Sequence, residues 1–234
     1  MMAKADIAAA QQGADALLPV TVVENALELH RDLFKDHPEV AVKKVSRLER
    51  EAKELPNRSL VYGEIPFESV AEIFTLMRTN FGALLERGGN FYDIGSGCGK
   101  VTIAAALLHD FSKCCGIEVI PDRTSIALQI LDVWRYQSID KLPSQKADID
   151  IGFVKGDASK MDMWKDATLV FCNSTCFSDS LLQAISNAAD SLREGCYFVT
   201  VTKPLVSTRW KTVLEQKFQM SWGKATVIIQ KKVL

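Results

Sequence analysis

Phe91-Tyr92-Asp93-Ile94-Gly95-Ser96-Gly97-Cys98-Gly99-Lys100 is the stretch whose reading decides the fold. Asn90–Ile94 reads as a short buried strand and Lys100–His109 as a helix. Glycine lets the backbone between them turn sharply and come close to a ligand. The helix start then offers free amides and the positive end of its dipole. A tight turn without ligand has the same local pattern, so the residues around it must decide.

Working outward, strands and helices alternate. Lys113–Val119, Asp150–Val154, Thr168–Cys172 and Tyr197–Thr202 read as strands, and Asp122–Tyr136 and Ser178–Leu192 as helices. Ser207–Gln216 reads as a short helix. Phe218–Trp222 and Ala225–Gln230 read as a closing antiparallel pair around Gly223-Lys224. Upstream, Phe67–Leu85 is an amphipathic helix closed by Gly88-Gly89. Val22–Phe34 and Val40–Leu55, the latter stopped by Pro56-Asn57, form a helical preface. The alternation implies parallel strands joined by right-handed crossovers. The expectation is an α/β, Rossmann-like fold: a seven-stranded, mostly parallel sheet with an antiparallel C-terminal pair. Residues 1–61 would be a helical extension and 62–234 the main domain.

Composition sets the class. The 234 residues are 47% hydrophobic and 24% charged, which supports a packed core and excludes a disordered chain or a collagen-like repeat. The longest largely apolar run, Val101–Leu108, is far short of the ~20 residues of a membrane span. No secretory leader is expected from Met1–Ala10, and Ala8–Gly13 reads as a disordered terminus. Six cysteines without zinc spacing fit reduced thiols inside the cell, nuclear or cytoplasmic, and no metal site. The net charge of −1 carries no nucleic-acid signature, yet Lys203–Leu234 holds seven basic residues and one acid. That segment is either a set of solvated faces or a docking surface for an acidic partner.

Two ligands compete for the glycine loop. Dinucleotide enzymes use G-x-G-x-x-G, and the third glycine would fall on Lys100. The pattern present is Asp-x-Gly-x-Gly-x-Gly, with Asp93 at the strand end and Gly95, Gly97 and Gly99 in the turn. That is the version suited to S-adenosylmethionine (SAM), whose ammonium calls for a nearby carboxylate. Glu118 ends the next strand, 19 residues after Gly99, where a carboxylate accepts ribose hydroxyls. Asp157, with Ala158, follows the third strand and suits the adenine amino group; alone it is an ordinary turn.

Several ordered blocks from Tyr62 to about Lys231 resemble one family, the disruptor-of-telomeric-silencing methyltransferases, non-SET histone-lysine N-methyltransferases on the SAM-binding fold. Tyr62-Gly63-Glu64-Ile65-Pro66-Phe67 resembles the family's Tyr-Gly-Glu-x-x-Phe loop, which covers the cofactor there. Gly116-Ile117-Glu118 and Gly156-Asp157 resemble its ribose and adenine segments. Val170–Phe177 resembles its Val-Ile-Phe-x-Asn-Asn-x-x-Phe block, and Ser221-Trp222-Gly223-Lys224 its late Trp-x-Gly-Lys. The resemblance implies SAM as cofactor, with Tyr62, Glu64 and Asn173 added to its binding set, and a protein substrate, histone in the nucleosome. It implies Asn173 as the orienting amide and Phe67, Phe177 and Trp222 as walls of an apolar lysine channel. Ser174 stands where the family has its second asparagine, and Ile228 aligns near a family tyrosine. Non-specific DNA contact would fall to the basic C-terminal segment, and no membrane partner is expected.

Overall fold

The computed structural model describes residues 17–52 and 62–234; the expected disordered start and the Pro56-Asn57 helix stop lie outside the described residues. The chain forms a seven-stranded sheet in the order β3-β2-β1-β4-β5-β7-β6. The strands are β1 (Asn90–Ile94), β2 (Lys113–Glu118), β3 (Asp150–Lys155), β4 (Leu169–Cys172), β5 (Tyr197–Val201), β6 (Trp210–Met220) and β7 (Gly223–Lys232). The first five are parallel, and β7 runs antiparallel to β5 and β6. The chain builds one side of β1 with β2 and β3, then crosses back to build the other with β4 and β5. The C-terminal ends of β1 and β4 therefore lie side by side at the switch point, where such sheets bind ligands.

Strand residues alternate between two cores, as a period of two requires. Phe91, Cys114, Phe171 and Val199 face α1 (Val20–Leu33), α2 (Glu39–Ala52), α3 (Phe67–Phe81), α4 (Lys100–Leu108) and α5 (Pro121–Val133). Tyr92, Cys115, Val170 and Phe198 face Trp164, Trp210 and, beyond the four-residue α6 (Ser144–Ala147), helix α7 (Asp179–Ala189). Helix α4 is apolar around its whole circumference and buried from Val101 to Leu108. It fits only between the sheet and an outer layer, which α1 and α3 supply. His30 of α1 sits 3.0 Å from the Lys100 carbonyl, and Leu33, Phe34 and Val42 join the same core as α3 and α4.

Three details differ from the expectation. Ser207–Gln216 is not a helix: Trp210–Met220 is one continuous edge strand. Its Lys, Glu and Gln suit an exposed helix face, but pairing with β7 wins, because Trp210, Phe218 and Met220 are buried only in the extended form. The hairpin turns at Ser221-Trp222, with Met220 opposite Gly223, rather than around Gly223-Lys224. Helix α3 stops at Phe81, not Leu85. Gly82 takes the left-handed conformation and, with Ala83, returns its amide to the last turn of the helix.

All six cysteines are free, and five are buried. No described helix is long and apolar enough to cross a membrane, and no described group of His, Cys, Asp and Glu would hold a metal.

Phe91 is fully buried and meets the rings of Phe74 and Phe111. Phe91→Ala is expected to cost about 3–5 kcal/mol in denaturant unfolding. A loss under about 1 kcal/mol would mean this core is not packed as described.

Candidate active site

The glycine loop is tight by steric necessity. Gly95, Gly97 and Gly99 have φ of +76°, +57° and +89°. A Cβ on Gly99 would lie 2.5 Å from the Phe153 ring, and one on Gly97 2.7 Å from the Tyr62 ring. The Gly95 and Ser96 amides donate to the Ile117 carbonyl at 2.8 and 3.1 Å, pinning the turn to β2. Beside it opens a cleft of about 940 Å³, mouth included, lined by Tyr62–Ile65, the loop, Glu118, Arg123, Asp157, Asn173 and Phe177 among others.

Four acids line this cleft, and three of them, Asp93, Glu118 and Asp157, sit in different states beside the loop. Asp93 is 3% exposed and is supported by Thr102, whose Oγ1 donates to it at 2.9 Å and whose backbone amide also acts on it. Burial pushes its carboxyl up to about 7, and the nearby Glu118 carboxylate adds to the shift. Glu118 is equally buried but well supplied. It accepts the Gly97 and Ile120 amides at 2.9 and 2.8 Å, and Arg123 lies 3.6 Å away. Asp157 caps a short 3₁₀ turn, accepting the Ser159 amide and hydroxyl. Despite some burial, the Ser159 and Lys160 contacts hold it below the usual carboxylate range. Ala158 is buried beside it, its carbonyl taken by Trp164 Nε1 at 3.0 Å.

A roof crosses the loop. The Tyr62 ring covers Gly97, and its hydroxyl donates to Glu64 Oε1 at 2.8 Å beside Cys98 Sγ. Glu64 Oε2 pairs with Lys100 at 2.6 Å, with both side chains largely buried. The Arg123 guanidinium lies 5.2 Å from the centre of the Tyr62 ring.

At the other end, Asn173 and Phe177 line the cleft just past β4. The Asn173 amide oxygen has one long contact, 3.5 Å to the Thr175 amide. Lys203 holds the Phe177 carbonyl at 2.6 Å. Ser174 is fully buried, its hydroxyl 2.8 and 2.7 Å from the Val201 and Lys203 carbonyls. Phe67 and Trp222 are not among the lining residues. Phe67 packs against His30 inside the helical layer. Trp222 is 39% exposed and lies on the outer side of Gly63. Ile228 is a buried sheet residue opposite Thr200.

The structure thus brings Tyr62, Glu64, Asp93, Gly95, Gly97, Glu118, Asp157, Ala158, Asn173 and Phe177 around one cleft, with Gly99 just behind it. Sequence reading missed Lys100 as the partner of Glu64, and Arg123. The available signal for Arg123 was a basic residue in the first turn of the helix after the ribose-type acid. Ser96 was also missed: its hydroxyl is buried without a hydrogen-bond partner among the described residues. A glycine cradle and a buried acid lacking a cation fit SAM, which brings an ammonium.

The family described as "Histone methylation protein DOT1" matches residues 41–225, and the chain belongs to it. No curated protein matches. Among solved structures, TrmN from Thermus thermophilus aligns with a TM-score of 0.51 at 16% identity, over 71% of this chain and 52% of that one. This chain thus spans about half of that protein's length. A candidate RNA methyltransferase from Pyrococcus horikoshii aligns with 0.51 at 15%, over 72% and 85%. A candidate methyltransferase from Escherichia coli aligns with 0.52 at 13%, over 71% and 87%. These likenesses show the fold. The family makes the chain a SAM-dependent methyltransferase, and the solved structures show its Rossmann-like sheet.

Two outcomes are expected of SAM binding. An ammonium is stabilised only by ionised Asp93, so at about pH 6 docking expels a proton, and affinity rises as pH increases through about 7. Calorimetry in two buffers of different ionisation enthalpy reads that proton; its absence, or its persistence in Asp93→Asn, refutes the assignment. Gly97→Arg, strained at φ +57° and aimed at Tyr62, is expected to abolish binding while the chain still folds. Normal affinity in that variant contradicts the cradle.

Proposed function

We propose that the chain is a protein-lysine N-methyltransferase whose substrate is histone in the nucleosome. The observation that carries this reading is the Tyr62–Glu64 roof, closed over the glycine loop through Lys100, facing Asn173 and Phe177 across one cleft. The roof and the asparagine block are the sequence features that distinguish this family's resemblance from that of methyltransferases at large, and the family description names histone methylation. The catalytic unit in this proposal is residues 62–234, with residues 1–61 as its helical extension.

Asp93 holds the ammonium, Glu118 the ribose hydroxyls, and Asp157 with Ala158 the adenine edge. The glycines admit the cofactor's backbone-close approach, and Tyr62 and Glu64 close over it. SAM supplies a methyl group on a sulfonium, an electrophile that needs no further activation. The chain contributes alignment and exclusion of water. An amine entering beside Phe177 loses hydration, which disfavours its ammonium form and frees the lone pair. The Asn173 amide oxygen, nearly uncommitted, orients the N–H bonds of that amine. Phe67 and Trp222 support the roof from within and from outside. The basic residues of Lys203–Lys232 would meet DNA without reading its sequence, and a nuclear setting follows from the substrate.

A second reading has its own support. Ser174 spends its hydroxyl on the β5 end, and Ile228 lies inside the sheet, so neither adds an amide or a phenol to the acceptor side. That favours a non-histone protein or a small amine as acceptor. A SAM-binding module without turnover is the limiting case.

Tritiated SAM offered with nucleosomes, free histones and a cell lysate separates these readings. Label on nucleosomal histone is the expected result. Label confined to another lysate protein supports the second reading, and SAM binding without label the third. Asn173→Ala is expected to slow single turnover at least tenfold, about 1.4 kcal/mol, with a smaller change in SAM affinity. Unchanged turnover removes the asparagine from the mechanism.

A further inference from the structure

We propose that Ser221 is a positioning residue for SAM binding, its hydroxyl joining α2 to the roof over the cofactor cleft. The inference rests on reading that cleft as the SAM site. A serine hydroxyl has one proton to give and lone pairs to accept with. Ser221 uses both: Oγ donates to Glu39 Oε1 at 2.5 Å and accepts the Glu64 amide at 3.1 Å. Its own amide donates to the Glu64 carbonyl at 3.1 Å. The roof and the β6–β7 turn, 157 residues apart in sequence, therefore meet in a two-bond bridge. Glu39 is paired with Lys43, so the acceptor is a fixed carboxylate, and hydrogen bonds to ionised groups are the stronger kind.

The bridge acts on the outer side of the same segment whose inner side forms the cleft. Residues 62–66 have no helix or strand of their own. Their position is set by contacts on two sides: Gly97, Cys98 and Lys100 within, Ser221 and Trp222 without. A Cβ on Gly63 would lie 2.6 Å from the Trp222 indole, so the turn rests directly on the roof. The sequence also places Ser221 on a turn rather than in the cleft, which separates its role from cofactor contact. Removing the hydroxyl leaves the Glu64 amide without its acceptor and Glu39 with Lys43 but no tie to the turn. The roof then opens more often, and a bound cofactor escapes sooner. The α2 segment thereby acts on cofactor retention through Glu39, although α2 itself lines no part of the cleft.

The test is SAM release from the full chain, followed by displacement with excess S-adenosylhomocysteine, together with hydrogen exchange at the Glu64 amide and thermal melting. Ser221→Ala is expected to speed release about three- to tenfold, as loss of the one bond that the hydroxyl makes to the roof, at the Glu64 amide, implies. It should deprotect Glu64 and leave the melting temperature of the cofactor-free protein nearly unchanged; Ser221→Thr should restore release and protection. Glu39→Ala should shift both in the same direction as Ser221→Ala, and it carries the test if that variant does not fold. Release within about twofold of wild type, or unchanged Glu64 protection, overturns the proposal. A wild-type protein that fails to bind SAM overturns the reading of the cleft itself.

Discussion

The turn between β1 and α4 can exist only where no Cβ is present. Gly99 lies against Phe153 of β3 and Ala127 of α5, and Gly116 of β2 lies against Phe153 and Ser96. These close approaches draw the β1–α4 turn onto the β2–β3 side of the sheet. They also set the axis of α4, whose first amides then face the switch point. Because α4 is apolar on every side, its placement demands an outer layer, and α1 and α3 become part of the same core. The helical preface is thus tied to the glycine loop by packing as well as by the His30 contact to Lys100. Burial lowers His30 to about 4, so its neutral ring donates to that carbonyl at ordinary pH.

Charge in the cleft is arranged by the same economy. Glu64 has Lys100, and Glu118 has two amides and Arg123. Burying a charge is costly unless it is paired, and these two acids satisfy that condition within the chain. Asp93 does not: only Thr102 supports it, and no described cation pairs with it. A deeply buried carboxylate without a cation is strained toward its neutral form. In the proposed site it is also where an incoming ammonium would gain most, because no described cation supplies the counter-charge. The arrangement distinguishes three acids that look alike in sequence.

Most of the sheet was legible because its strands are short, apolar and separated by loops with clear punctuation. The alternation around Asn90–Ile94 led to the parallel order. The C-terminal hairpin was less legible. Lys211, Glu215, Gln216 and Lys217 suit a helix, and only the long-range pairing with β7 makes Trp210–Met220 a strand. Such pairing leaves no local signature. The cleft acids and glycines were readable because their spacing is fixed by the fold. The placement of Phe67 and Trp222 was not, since an aromatic residue near a site in sequence can pack inward, outward or into the site. Lys100 read only as a missing glycine, while its contact with Glu64 spans 36 residues and arises from the roof folding back.

The proposed acceptor end is shaped by a buried serine. Ser174 is fully buried between the ends of β4 and β5, where its hydroxyl meets two carbonyls. The adjoining Thr202 is held at φ +73°, a strained conformation for a β-branched residue. The Ser174 contacts and the bond between the Thr202 amide and the Thr226 carbonyl hold that junction. A longer amide side chain at position 174 would have to displace this packing to reach the cleft. Asn173 is therefore the amide left lining the cleft, and Phe177, fixed through Lys203 and Asp179, lines it beside Asn173. In the proposed reaction, an acceptor side built from one amide and one anchored ring would act on an amine more by desolvation than by orientation.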